Sequence, residues 1–292
     1  MSSSSPQQAA WLPKLVIAPS FVLSLLFIYG LMAWNGYLSM SASRILPSYD
    51  FVGLQHYGAL LDSDRFRVAM TNMAVFGFCF IGGAMALGVL LAILLDQKVR
   101  GEGVLRTIYL YPMAISFIVT GTAWKWILNP GLGLQHLMHS WGFTDFQFEW
   151  LVDQDMAIYC VVIAGVWQSA GFVMALFLAA LRGIDDSIIK AAQVDGASLP
   201  RIYWRIILPS LGPVFFSTLM VVSHLAIKSF DLVMALTAGG PGYATDLPAT
   251  FMYATAFTRG QIGVGAASAT VMLATVAAIV VPYLYSELRG KR

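Results

Sequence analysis

Lys190-Ala-Ala-Gln-Val-Asp-Gly-Ala-Ser-Leu-Pro-Arg-Ile-Tyr-Trp-Arg-Ile-Ile-Leu-Pro209 is a charged, small-residue segment set between two long apolar ones. An apolar chain that keeps such a segment in water needs a reason, and docking a soluble partner is one. The flanks decide the class. Hydrophobic residues make up 58% of the chain and charged residues 11%, against roughly 25% charged in a soluble domain. No single core of a chain this size hides that much apolar surface, whereas the hydrocarbon of a bilayer takes the place of a core.

A transmembrane helix needs about 20 largely apolar residues. Six windows meet that length, at about 13–35, 69–95, 107–128, 157–181, 208–236 and 262–286. The expected fold is therefore an all-α integral membrane protein with six transmembrane helices, one domain over residues 1–292, and an aqueous loop at 183–207. Met1 to Ala10 is a short polar lead without a basic cluster. The run from Leu15 to about Trp34 lacks a small-residue cleavage site, so it reads as a retained first helix. Pro19, Pro112, Pro213 and Pro282 lie in or near the windows and mark places that bend.

Charge sets the expected orientation. One set of connections carries Lys14, Lys98, Arg100, Arg106, Arg182, Lys190, Arg201, Arg205, Arg289, Lys291 and Arg292. The opposite set carries Arg44, Arg65, Arg67 and Arg259, and the Asn129–Met156 loop is acidic. The positive-inside rule places the basic set, and both termini, in the cytoplasm. Trp34, Tyr109, Tyr111, Trp124, Trp126, Tyr253, Tyr283 and Tyr285 lie near the predicted ends, where amphipathic rings favour the headgroup zone.

Nothing in the chain proposes catalysis. The Gly-Lys pair, Gly290-Lys291, is not part of a phosphate-binding loop, and no serine elbow or His-Glu-x-x-His occurs. No catalytic, cofactor or metal residues are expected. Cys79 and Cys160 lie in apolar segments, and His136 and His139 lie in a loop without a third ligand. Lys125 is close enough to a span end for its ammonium to reach the interface. Ser217, His224, Lys228 and Asp231 fall on one face if the fifth span is a continuous helix, with Lys228 and Asp231 spaced to pair. That stripe is either a structural bridge or the border of a watery path.

The opening segment has its own local logic. Ile184 to Val194 is proline-free and alanine-containing, which predicts a helix. Gly196 is placed to end it in a left-handed conformation. Ser198 is placed to cap a second short helix near Pro200, with Ile202, Ile206 and Ile207 on its apolar side. The product is an elbow projecting into water, either an amphipathic loop or a docking surface.

Lys190-Ala191-Ala192, Asp195-Gly196-Ala197, Tyr203 and Ile206-x-Leu208-Pro209 resemble the cytoplasmic "EAA" loop of the permease subunits of bacterial ABC importers, with Lys190 standing where that family usually has Glu. Phe230-Asp231 with Leu236-Thr237-Ala238-Gly239-Gly240-Pro241, Tyr253 and Ala256-Phe257 is similar to the carbohydrate-uptake permeases of the maltose and glycerol-phosphate type. So are Trp126-Ile127-Leu128-Asn129-Pro130-Gly131-x-Gly133 and Phe51-Val52-Gly53-Leu54-x-x-Tyr57. Together these runs cover nearly the whole chain.

The resemblance implies a type I ABC importer permease fold in the inner membrane. It implies a second, homologous permease subunit and two ATP-binding subunits that hold ATP and Mg. It also implies an external sugar-binding protein and contact with membrane lipid, with no nucleic acid among the partners. Lys190, Ala191, Ala192, Asp195, Gly196, Ala197, Ser198, Tyr203, Ile206, Leu208 and Pro209 would then couple to the ATPase, and His224, Lys228 and Asp231 are candidates for the path. Overall similarity points within the group to a monosaccharide such as glucose or mannose. The competing expectation is an ion-coupled transporter or channel using His224, Lys228 and Asp231 as a relay.

Overall fold

The computed structural model describes residues 6–97 and 99–290, with the side chains of 6–13, 186, 283, 284 and 286–290 left aside. Met1–Ser5, Lys98, Lys291 and Arg292, and the side chains of Tyr283 and Arg289, lie outside the described residues. The described chain is helical, its one extended pairing being an isolated antiparallel bridge between Ser41 and Phe51. It divides into two compact units, Met1–Asp62 with Met252–Val271, and Ser63–Phe251 with Met272–Arg292.

In the first unit, α1 (Pro6–Ser24), a wide π turn (Leu25–Gly30) and α2 (Leu31–Leu38) succeed one another without a break. The span-length stretch Lys14–Leu38 runs slightly past the expected 13–35 and is unburied. A cluster of buried serines follows it. The Ser39 hydroxyl meets the Tyr57 hydroxyl, Ser41 meets Ser43, and a His56 ring nitrogen meets the Ser41 carbonyl. α3 (Gln55–Asp62) supplies those Tyr and His side chains.

The second unit is built on α4 (Asp64–Asp96), which contains the expected 69–95 span. Ser63 caps it by accepting from the Phe66 N–H, and Asp64 sits in the first turn where the helix dipole favours an anion. α5 (Glu102–Ala114) and α6 (Phe117–Ile127) follow, then α7 (Leu134–Ser140) and α8 (Ala157–Leu181), which coincides with the expected fourth span. Beyond α8 lie α9 (Asp186–Val194), α10 (Leu199–Ile202), a wide turn (Tyr203–Ile207), α11 (Leu208–Ser210), α12 (Gly212–Ile227) and α13 (Phe230–Leu236). α14 (Pro248–Tyr253), a wide turn (Ala254–Thr258) and α15 (Ile262–Gly290), which contains the expected 262–286, end the described chain, with Met252–Val271 belonging to the first unit.

Two expected spans are not straight helices. The 107–128 window is split into α5 and α6, which meet at 102°. Ile115 and Ser116 are extended there, and the Ser116 hydroxyl accepts from the Val119 N–H to start α6. The 208–236 window is split twice. The Leu199–Ser210 segment meets α12 at 71°, and α12 ends at Ile227 before Ser229 adopts a non-helical φ/ψ of −73/58°. Hydropathy registers apolar length but not these capping breaks. Among the described residues four helices are long and apolar enough to cross a membrane, or six if each bent pair is one span.

α4 and α8 pack together through Phe76, Phe80, Ala84 and Met85 against Ala164, Val173 and Phe177, all buried. Helix association gains little from hydrophobicity in lipid, so close backbone approach matters. A Cβ on Gly88 would collide with Val173, and one on Gly171 would collide with the Tyr109 carbonyl of α5. A carbonyl in a helix backbone cannot swing aside. Gly171→Ala is therefore expected to destabilise the protein by about 1–3 kcal/mol. Melting of the purified protein in detergent would measure this. Gly77→Ala, where nothing lies within 4 Å, should leave the melting temperature unchanged or raised.

Candidate coupling elbow and membrane cavity

The elbow forms as its residue types dictate. Asp185 caps α9 by accepting from the Ser187 N–H at 2.8 Å. That hydrogen bond, with a second from the Ser187 side chain, holds the Asp185 carboxyl below its ordinary value of 3.8. A depressed native pKa means the cap is fully present above the unfolded value and is lost as pH falls through the native one. Acidification below about pH 4 is therefore expected to fray the first turn of α9. Hydrogen exchange at Ser187 and Ile188 would register it, and Asp185→Ala should produce the same fraying at neutral pH.

At the other end of α9 the Gly196 N–H donates to the Gln193 carbonyl, and the Ala197 N–H donates to the Ala192 carbonyl. Gly196 has φ +80°, so this is the paired-bond left-handed stop that favours glycine. Ser198 stands at the N-cap of α10 as expected, without a side-chain capping bond.

The motif residues then separate by direction. Lys190, Ala191, Asp195, Gly196, Ser198 and Pro209 are exposed, as is Val194 at 87%. Ile206 is exposed too, while Leu208 is half-buried. Ala192, Ile202, Tyr203 and Ile207 are buried and join the core, with half-buried Ala197 packed against it. The Tyr203 hydroxyl donates to Asp96 Oδ2 at 2.5 Å and accepts from Gln97 Nε2 at 2.7 Å. Nearby, Arg182 at the end of α8 pairs with Glu102 at the start of α5, at 2.5 Å. Asp96, Gln97 and Glu102 carry no signal in the sequence motif.

The stripe on the fifth span is only partly as expected. His224, Lys228 and Asp231 are all exposed. The helix break at Lys228–Ser229 puts Lys228 and Asp231 on different helices, and they form no ion pair among the described residues. The expected Lys228–Asp231 pair is therefore not formed. By helical spacing His224 and Lys228 share the face of α12 that carries Val221 and Leu225.

Those two residues line a cavity of about 280 Å³ between the α5–α6 bend, α8 and α12. Its other walls are Met113, Phe117, Gln168, Ser169 and Phe172. Gln168 is 5% exposed, and its Nε2 donates at 2.7 Å to the Ile115 carbonyl that the bend sets free. Its Oε1 is buried without a hydrogen-bond partner. An unsatisfied buried acceptor costs about 1–3 kcal/mol, and Phe117 and Phe172 line the same cavity. A lone amide in the otherwise apolar α8 was the available sequence signal.

Elsewhere Lys125 is exposed in the last turn of α6, a position the helix dipole favours. A His139 ring nitrogen meets the Phe146 carbonyl, and no His/Cys/Asp/Glu cluster able to hold a metal occurs among the described residues. Arg65 pairs with Asp246, 181 positions away in sequence.

The profile of the family described as binding-protein-dependent transport system inner membrane component matches residues 84–290. A probable ABC transporter permease protein of Pyrococcus horikoshii is 38% identical, over 95% of this chain and 96% of its own. The xylose/arabinose import permease protein of Haloferax volcanii is 36% identical, over 92% and 86% respectively. The sn-glycerol-3-phosphate transport system permease protein of Agrobacterium fabrum is 30% identical, over 92% of both. In fold, the chain is similar to one from the crystal structure of a bacterial ABC transporter involved in alginate import. The TM-score is 0.84 with 22% identity, covering 97% of this chain and 96% of that one.

Proposed function

The chain belongs to the binding-protein-dependent transport system inner membrane components, and on that premise we propose that it is the permease subunit of an ATP-driven sugar importer. The observation that carries the reading is the glycine turn at Gly196, exposed at the tip of a helical elbow whose base is packed into the bundle. A protein without a nucleotide site of its own needs such a contact to receive work from an ATPase. ATP shifts a gate only through contacts that differ between its two states.

Each bent pair counts as one span, which gives six spans and cytoplasmic termini. The paired second permease encloses the path, and two ATPase subunits holding ATP and Mg dock at the elbows. An external binding protein delivers the sugar. This chain itself binds no nucleotide and catalyses no reaction. The exposed His224, Lys228 and Asp231 border the path, because charged groups facing lipid would be costly.

The substrate is a monosaccharide, glucose or mannose, held against Gln168, Phe117 and Phe172. The cavity, at about 280 Å³, lies just below the usual range for small-molecule sites, about 300–1,000 Å³, which favours a single ring. Two relatives are named for small solutes, xylose/arabinose and sn-glycerol-3-phosphate.

The test is uptake by proteoliposomes carrying the whole complex, offered labelled glucose, mannose, xylose, arabinose and glycerol 3-phosphate. Uptake of glucose or mannose with ATP, and with ion gradients collapsed by ionophores, is expected. Uptake that follows an ion gradient without ATP would favour the ion-coupled relay instead. Preference for a pentose or for glycerol phosphate would overturn the substrate while leaving the transporter class intact.

A further inference from the structure

The elbow's second limb is attached to the bundle differently from its first. On α9 the outward residues Lys190, Ala191 and Val194 meet no other part of the bundle's core, and only the inner face, with Ala192, is buried. On the second limb, Ile202 and Ile207 are buried at 0% and 1%, and Tyr203 lies between them at 8%. The wide turn at Tyr203–Ile207 slips the helical phase, so Trp204 is 73% exposed and Ile206 turns outward.

Tyr203 is also the residue of this limb whose side chain makes polar bonds to another helix. It donates to Asp96 and accepts from Gln97, and these two residues end α4. A phenol buried with both its donor and its acceptor function satisfied is held in one geometry. It cannot at the same time offer its hydroxyl to a docking partner.

We propose that Tyr203 is a positioning residue, whose hydroxyl latches the elbow to the end of α4 so that displacement at Gly196 is delivered to the α4–α8 pair. This rests on the elbow being the coupling contact. The family motif counts its aromatic among the elbow's residues, but here the side chain works inward. α4 is the helix suited to receive the displacement, because it packs against α8 through residues too close to admit a methyl at Gly88 and also contacts α12. α12 in turn lines the Gln168 cavity. Packed elements thus lead from the elbow through α4 to α12 and the cavity wall, with the Tyr203–Asp96 hydrogen bond as the polar link between elbow and α4.

The test uses the full complex in proteoliposomes. The probe is a mixture of ¹⁴C-labelled glucose, mannose, xylose, arabinose and glycerol 3-phosphate, so the readout does not depend on which of these solutes is carried. The measured quantity is sugar transported per ATP hydrolysed. Tyr203→Phe removes one oxygen and keeps the ring, so assembly should be normal while the ratio falls by roughly fivefold or more, the scale on which site-to-site coupling acts. Asp96→Leu should match it, and the double variant should be no worse than either. Asp96→Asn, whose amide oxygen still accepts from a phenol, should keep most of the ratio.

An unchanged ratio in Tyr203→Phe would overturn the latch. So would uptake and ATP hydrolysis falling in proportion, or failure of Tyr203→Phe to assemble, since either marks a purely structural bond. Absence of ATP-driven uptake in the unaltered complex is a separate result, and it would strike the coupling reading itself.

Discussion

Gly196→Asp is expected to abolish uptake while leaving the protein inserted and assembled at near-normal levels. Two effects act at this position and they differ in size. Gly196 has φ +80°, and a side chain there is strained by about 1–2 kcal/mol. A Cβ at Gly196 would meet nothing within 4 Å, so the substitution creates no clash inside the chain. Strain on this scale frays one turn without unfolding a bundle anchored by Ile202 and Ile207. The larger effect falls on docking. The carboxylate would stand at the exposed tip, beside Asp195, where a partner surface must approach the backbone closely. Loss of a coupling of about 1–3 kcal/mol corresponds to roughly 5–150-fold in the coupled equilibrium, enough to bring uptake near background. Gly196→Asn separates the two effects, since Asn tolerates the left-handed conformation and adds no charge. It should retain intermediate uptake. Immunoblots of membranes and labelled-sugar uptake decide the matter, and normal uptake by Gly196→Asp would remove the elbow's coupling role.

The elbow was the most legible part of the chain because its signals are local. Pro200, Gly196 and the alanines each act within one turn, and the structure realises them at the expected residues, while Ser198 takes the N-cap position without the capping bond. Apolar length likewise marked α4, α8 and α15. Pro112 marked the bend at Ile115 but not its 102° size or its partner, and the break at Ser229 was less legible still. The Ile115 carbonyl is left free by the bend and is met by Gln168, 53 positions away. Ser229 returns its hydroxyl to the Leu225 carbonyl, a bond that competes with a straight helix. The expected Lys228–Asp231 pair assumed an uninterrupted helix and fell with that assumption. Tyr203 shows the same limit in reverse: the motif marked the residue, but only Asp96, 107 positions earlier, reveals which way it works.

Arg65→Ala is expected to destabilise the second unit by about 3–5 kcal/mol. Asp246 is buried at 1% exposure, and Arg65 Nε reaches its Oδ2 at 2.5 Å. The other carboxylate oxygen accepts from the Thr250 hydroxyl at 2.7 Å. The Arg65 guanidinium also lies 4.5 Å from the Tyr243 ring centroid and 5.7 Å from that of Phe251, so its removal takes away packing as well as charge. With the arginine gone, a buried carboxylate keeps only one hydroxyl. Asn72, which donates to the carbonyls of Tyr243 and Asp246, would then hold the Thr237–Leu247 loop by its backbone alone. Arg65→Lys should fall between, since an ammonium restores charge but neither the planar fork nor the stacking. The decisive comparison is Arg65→Ala with Asp246→Leu. Removing both charges also removes the uncompensated carboxylate, so the double variant should recover most of the lost melting temperature in detergent. If the double variant melts no higher than Arg65→Ala, the lost packing on Tyr243 and Phe251, and not the stranded charge, is what the arginine contributes.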